Sequence, residues 1–584
     1  MRNHASNLGH TPELFDEAIA ACTVVAEDHA RTGRETKTTL SRHLAQIAPD
    51  LERMLEHQAI LDALWDFTSG LAELISDRKN SIGSFIIRNS YRPAMFRQQF
   101  ETIIGNPPWL SYRYIADPDY QQEIKRRAVE QYKIAPKSQK LFTQMELATV
   151  FLAHSMAIFA GPGAKLGFVM PRSILTADQH QKLIKRDYQS PFRITSYWDL
   201  WEVKPLFNVP ACVLFARRDT DHGSPKDSLP TQLWSGRLPD RNVPWRVARE
   251  KLRWKEATAR VIYLAQRCAL STEPGATTPT KPSKYERAFK QGATIVPRNF
   301  YFVRIPDFNG KVDPTALYWA ETDPEGAVQA KPPYKDTRLS GLVEGRFIYS
   351  VVIARHLMPF AVLEPATAVL PVEAKHGLLH VRSAEVLTVG GYREFGKWMA
   401  EAERIWREKR EEKAGKQTLY ERLDYQRELT WQNLSHRHLV LYNAPGTNVS
   451  AAYFDREAHA LSLIVEHTVY SAAFADRSEA DFIIAILNSE TANEAIKPFQ
   501  ATGLLGERHI EKKLLDLPIP IYNPNAGEHR KLAEFGEQAR REAAAIVKSP
   551  GFPAASSLAR QRAFVRQNLK GTLAEIDRLV RGIL

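Results

Sequence analysis

The chain has 584 residues, a formal net charge of +12 and three cysteines. At that length about two to four domains are expected rather than one core. A hydrophobic fraction of 44% with 25% charged residues excludes a disordered or fibrous chain, and no apolar run reaches the roughly 18 residues of a membrane span. Cys22, Cys212 and Cys268 stand in no metal spacing, which excludes a disulfide framework or a structural zinc and fits a reducing, cytoplasmic setting. The N-terminus has no apolar core of a signal peptide. A sequence pI of about 9.3 points to a polyanionic partner without naming it.

In chain order, residues 11–76 carry apolar side chains at helical spacing, and Pro49-Asp50 reads as a helix start. The short β-branched stretch SFIIRNSYRP (84–93) is followed by a strand, ETIIG (101–105). A helix is predicted over QMELATVFLAHSMAIFA (144–160), with Gly161 as its C-cap and Pro162 as its stop, and then a strand over KLGFVMP (165–171). Two strands around a loop are predicted in ITSYWDLWEVKPLFNVPACVLFARR (194–218). Asp219 to Gln232 reads as a linker from its Gly, Ser, Pro and Asp content. Strand-rich segments follow at 293–305, 345–354, 366–373 and 436–444, interrupted by a charged helix at 393–413 and closed by a helical tail over 529–584. No internal repeat of fixed period is present.

The stretch FETIIGNPPW (100–109) carries the chemistry. A strand delivers Asn106 to its carboxyl end, where open α/β sheets place their ligand sites. Gly105 permits either an unusual backbone angle or a close approach. Pro107 and Pro108 stiffen the loop and bring no N–H of their own, leaving carbonyl acceptors free. An Asn side-chain oxygen and a neighbouring carbonyl converging on one planar NH2 group would localise its lone pair for attack on a methyl donor. Trp109 offers a flat face for a base, a contact worth about 1–3 kcal/mol. An exocyclic amine inside a duplex is reachable only after base flipping, so such a platform is required.

These residues resemble the Asn-Pro-Pro-aromatic motif of the amino-methyltransferases. ETIIGNPPWLSYRYI, LFTQMELATVFLAHSMAIFAGPG and KLGFVMPRSIL follow, in order, the pattern of the gamma-type DNA adenine-N6 methyltransferases of prokaryotic restriction–modification and phage-defence systems. WDLWEVKPLFNVPACVLFAR is similar to their later catalytic strands. GATIVPRNFYFV and the segment 480–523 are similar to their target-recognition domains, so the likeness spans roughly residues 85–545. The resemblance implies an α/β fold: a partial Rossmann-like class I methyltransferase sheet, followed by a mixed α+β target-recognition domain with helical spacers. The implied organisation is a helical region 1–84, a catalytic domain 85–225, a recognition domain 226–528 with a charged spacer at 393–430, and a tail 529–584. By the same resemblance Asn106 and Pro107 accept from the target amine, Pro108 holds the loop and Trp109 stacks on the extruded adenine. S-adenosylmethionine is the implied cofactor and double-stranded DNA the implied partner, with no membrane and no metal.

One departure from the pattern is large. The family binds its cofactor with a glycine-rich strand-to-helix turn before the Asn-Pro-Pro motif, and residues 1–105 hold only Gly9, Gly33, Gly70, Gly83 and Gly105. Gly161-Pro-Gly163 follows a helix and precedes a strand, the reverse of what a phosphate or carboxylate cradle needs. The cofactor-binding residues are therefore unassigned, with Gly105 at most adjacent to them. Three explanations remain open: the C-terminal part of a split methyltransferase, an enzyme completed by a partner chain bearing the cofactor half, or a non-catalytic DNA-specificity subunit. Methylation of RNA or of a protein amide is the less favoured enzymatic alternative. Glu202-Val203-Lys204 reads as solvated charge at a strand end rather than a nuclease site, with Asp187 as the acid that a nuclease would need upstream. His436 and His438 read as exposed or DNA-facing histidines rather than a metal pair. Glu401 to Lys413 reads as a salt-bridged solvated helix, and Arg508, His509, Lys512 and Lys513 as phosphate contacts or surface charge.

Overall fold

The computed structural model describes residues 12–47, 58–77, 96–220, 228–410, 415–503, 506–508 and 510–584. The predicted helix start at Pro49 and the stretch 84–93 lie outside them. The chain forms two compact units, one of residues 1–174, 185–207 and 211–258, the other of residues 175–184, 208–210 and 259–584.

The first unit opens with α1 (Pro12–Thr32), α2 (Lys37–Ile47) and α3 (Gln58–Ser76). Phe15, Ile19, Cys22 and Val25 recur every three to four residues on α1, so they share one face. That face is buried with Leu40 and Leu44 of α2 and Ile60 and Leu64 of α3. All three cysteines of the chain are buried free thiols.

The α/β expectation holds. Within this unit a mixed sheet has the order β1-β2-β4-β3-β5, with β1 Phe100–Gly105, β2 Ala160–Pro171, β3 Phe192–Lys204, β4 Ala211–Arg218 and β5 Leu229–Arg237. β1 and β2 run parallel, joined through α4 (Pro118–Arg126) and α5 (Leu147–Ile158). β4 lies antiparallel to both β2 and β3, inserted between them by the turn that follows β3. Asp117 caps α4 by accepting from the amides of Asp119 and Tyr120, with Pro118 at the first helical position. α5 is apolar almost all round and buries eight of its twelve residues, as a helix covering a sheet does.

Two expectations fail here. Gly161 is no helix C-cap, because α5 ends at Ile158 and strand β2 already begins at Ala160, opposite Phe100. A Cβ on Gly161 would stand 3.0 Å from the Gln98 carbonyl oxygen, so glycine is there for a close backbone approach. The linker expected over 219–232 is only partly one, since Leu229 to Gln232 enter β5, parallel to β3. The sheet of the first unit thus continues past residue 225, the expected domain boundary, and the unit ends at Thr258.

The second unit is strand-rich, with short sheets and long helices. Its largest core joins the strands His438–Asn443 and Val469–Phe474 to the helix Arg477–Asn488 and to the helices Gly527–Lys548 and Lys570–Ile583. A second core gathers Phe300, Tyr301, Phe347, Val351, Phe395, Trp398 and Met399 around the helix Arg393–Lys409. That helix presents Arg404 paired with Glu401 and Glu408, and Arg407 paired with Glu403, on its outer face, as alternating charge predicts. Residues 293–305 form mostly turns rather than the expected strand, with only Val303–Arg304 extended. No helix among the described residues is long and apolar enough to cross a membrane.

Candidate functional site

β1 ends at Gly105 and delivers Asn106, exposed, to the carboxyl edge of the sheet. A Cβ on Gly105 would lie 3.2 Å from Cε1 of Phe168 on β2. Gly105 is not among the positive-φ glycines, so a close approach, not an unusual backbone angle, accounts for it. Pro107 is buried and Pro108 exposed. Trp109 is half-buried: its indole N–H donates to the Val169 carbonyl at 3.2 Å, and its ring tilts against Phe207 with centroids 5.0 Å apart. The indole is therefore held at its edge by the strand next door.

The segment after Trp109 is braced by main-chain hydrogen bonds. The Leu147 amide donates to the Leu110 carbonyl at 2.8 Å, Tyr112 to Met145 at 2.9 Å and Arg113 to Thr143 at 3.2 Å. Tyr112 packs on Phe142 with ring centroids 4.5 Å apart. Glu146, in the middle of this brace, accepts from the Ser173 hydroxyl at 2.7 Å. Beside it Arg172 holds Asp199 through Nε at 2.9 and 3.1 Å, and Asp199 also accepts from the Trp201 amide at 3.0 Å. An exposed Asn thus sits on a loop fixed by two prolines on one side and tied to the start of α5 on the other. Glu146, Arg172, Ser173, Asp199 and Phe207 escaped the sequence reading. Their roles depend on pairings 27 to 98 residues apart in the chain, which no local pattern reveals.

β1 is the end strand of the sheet, and among the described residues its far edge pairs with nothing. Ile104 is 82% exposed and Phe100 40% exposed. An apolar, parallel strand of this kind ordinarily sits inside a sheet covered on both faces, and an open apolar edge is a pairing surface.

The other candidate residues fall as follows. Glu202 and Lys204 stand on β3 opposite Ser235 and Arg237. His438 Nδ1 lies 2.6 Å from the Tyr453 hydroxyl, and no set of His, Cys, Asp or Glu suited to a metal occurs among the described residues. Lys513 is no surface phosphate contact: it is 5% exposed, with Nζ 4.0 Å from Asp178. His509 and the side chain of Arg508 lie outside the described residues. The chain's only Gly-x-Gly, Gly161-Pro-Gly163, lies inside strand β2, so its residues do not by themselves fit an S-adenosylmethionine cradle.

Residues 42–207, a span that contains Asn106 to Trp109, match the Eco57I restriction-modification methylase family. The match begins earlier than the expected residue 85, taking in part of the helical region, and stops well before residue 545. No curated protein sequence matches the chain. Among solved structures it is similar to the Type IIL restriction-modification enzyme MmeI in complex with DNA, at 12% identity and TM-score 0.49, over 82% of this chain and 54% of that one. It is similar to DrdV in a DrdV-DNA complex, at 10% identity and TM-score 0.39, over 80% of this chain and 47% of that one. A third is the ATP-dependent Type ISP restriction-modification enzyme LlaBIII bound to DNA, at 7% identity and TM-score 0.37, over 79% of this chain and 31% of that one. The chain spans about half the length of the first two and less of the third.

Proposed function

We propose that the residues of this chain are the target-gripping part of a DNA adenine-N6 methyltransferase, and that the cofactor half is supplied from outside them. The observation that carries the reading is Asn106: an exposed amide at the carboxyl end of a parallel strand, on a proline-stiffened loop beside a half-buried Trp109, within a segment that matches restriction-modification methylases.

The proposed work of the loop is geometric. Asn106 Oδ1 and the Pro107 carbonyl each accept one hydrogen of the adenine amine, which turns the nitrogen lone pair away from the ring. Pro107 and Pro108 have no N–H to compete for those acceptors. The exposed part of Trp109 stacks on the extruded base, and Phe207 with the Val169 carbonyl keeps the indole from swinging away. The amine loses its proton late, to solvent, so no side chain with a shifted pKa is required. S-adenosylmethionine supplies the methyl group when bound, and the residues of this chain contribute the amine's position.

The open edge of β1 supports a cofactor half that pairs there. In doubly wound sheets the ligand crevice lies where strand order reverses, with strands on both sides, and here the described strands lie on one side only. A parallel strand added beside β1 would cover Ile104, worth about 2 kcal/mol, and bring its own carboxyl end next to Asn106. The test is transfer of tritiated methyl from S-adenosylmethionine to duplex DNA by the chain alone and by the complex isolated from its host. Label with the complex but not with the chain alone is the expected result. Label in neither identifies a DNA-specificity subunit and ends the methyltransferase reading.

A further inference from the structure

The second unit contains a cavity of about 640 Å³ that the methylase loop does not use. It lies between the turn at Thr294–Arg298, the segment Ala330–Tyr334 and the region around Trp406, Gln417 and Arg422. Four of its lining side chains are cationic or basic: Arg298, Lys331, Arg422 and His467. Among the described residues no carboxylate lines it. Glu466 is fully buried and pairs with Arg298 at 2.7 Å, with His467 Nδ1 at 2.7 Å and with the Thr468 hydroxyl at 2.5 Å, and Glu428 accepts from the Thr294 hydroxyl at 2.7 Å.

Two aromatic side chains, Tyr334 and Trp406, also line it. Tyr334 and Trp406 lie parallel, 10° between planes and 5.5 Å between centroids, 9% and 7% exposed. The Trp406 indole N–H donates to the Gln417 carbonyl at 3.0 Å, so the pair is fixed before any ligand arrives. Arg298 is fixed too, between Glu466 and the Phe302 ring 5.5 Å from its guanidinium carbon. Arg422 and Lys331 stay partly or fully exposed at the mouth.

The geometry points to a nucleotide site: a nucleoside monophosphate, its phosphate between Arg422, Lys331 and Arg298 and its base against the aromatic pair. Fixed guanidinium groups suit a phosphate bidentately. A flat aromatic surface accepts any base, so the site is selective for nucleotides over other anions rather than for one base. The volume falls within the range of ligand pockets, about 300–1,000 Å³. A free nucleotide and a nucleotide of a DNA strand share this chemistry. The inference is independent of the methyl-transfer reading.

Calorimetric titration of the full chain with deoxyadenosine monophosphate tests it. Saturable binding is expected. Replacing both Arg422→Ala and Lys331→Ala should weaken it at least about tenfold with an unchanged thermal midpoint, because both side chains sit at the mouth. Asn106→Ala should leave it untouched, which separates this site from the methylase loop. Inorganic phosphate should bind about tenfold more weakly, having no base to stack. Duplex oligonucleotide that displaces the nucleotide assigns the pocket to a DNA strand, and duplex that does not assigns it to a free nucleotide. No saturable heat, equal affinity in the double variant, or phosphate binding as tightly as nucleotide would overturn the proposal.

Discussion

Asn106 and Trp109 divide the proposed work between positioning an amine and holding a base. Asn106 is exposed and makes no packing contribution that its loss would remove. Asn106→Ala should therefore lower methyl transfer by ~10²-fold or more, the scale of losing one preorganised polar contact to the reacting group, with duplex affinity and thermal midpoint unchanged. Trp109→Ala removes stacking worth about 1–3 kcal/mol and also leaves Phe207 without its partner. A weaker KM and a lower midpoint should appear together, and Trp109→Phe should restore much of the KM. Steady-state kinetics of the reconstituted enzyme, set beside thermal melts, separates the two residues. A third residue governs pH behaviour. Burial alone would raise the Glu466 carboxyl, but hydrogen bonds from His467 and Thr468 and the charge of Arg298 outweigh it and hold it at about 2. A carboxylate depressed in the folded state stabilises above its unfolded value and loses that contribution as pH falls from about 4.5 toward 2. Denaturant melts should show up to roughly 3 kcal/mol disappearing in that window, and Glu466→Gln should remove this part of the pH dependence. A wild-type stability flat from pH 5 to 2 would contradict the assignment.

At the level of elements, β1 is where sequence and structure inform each other most. ETIIG was legible as a strand because its β-branched pair sits between a charged start and a glycine stop, and the loop after it was legible because Asn, two prolines and Trp have few other uses together. The partners of that loop were not legible. Trp109 to Val169 and Phe207, Ser173 to Glu146, and Arg172 to Asp199 are joined by sheet order, and β4 inserting between β2 and β3 is not written in any one strand. Gly161 misled because Gly-Pro-Gly is ordinary turn chemistry, whereas here pairing with β1 overrides it, helped by a Gly163 at φ +70. Leu229 to Gln232 misled because a loop-like composition runs straight into β5. The exposed edge itself yields a prediction. Ile104→Lys should change the stability of the chain alone by no more than about 0.5 kcal/mol, as surface substitutions do. The same change should prevent assembly with the cofactor half, read by co-purification. Assembly at full yield would place that half elsewhere.

At the level of the whole molecule, charge and residue order argue for DNA. The net charge of +12 is spread over a chain whose second unit mixes Arg and Lys with Trp, Tyr and Phe on short strands and turns. Phosphate contacts would set register and a few side chains would read base edges. Duplex affinity should then fall linearly in a log–log plot against salt, with a slope near −0.9 per phosphate neutralised. A gel-shift titration indifferent to ionic strength would remove DNA as the polyanion. The most direct measurement of all compares wild-type and Asn106→Ala forms of the complex isolated from its host, each supplied with tritiated S-adenosylmethionine and duplex DNA. The account predicts label on adenine N6 with the first and a loss of about 10²-fold or more with the second, at equal duplex affinity. Label appearing equally fast in both would show that the loop after β1 does not grip the amine.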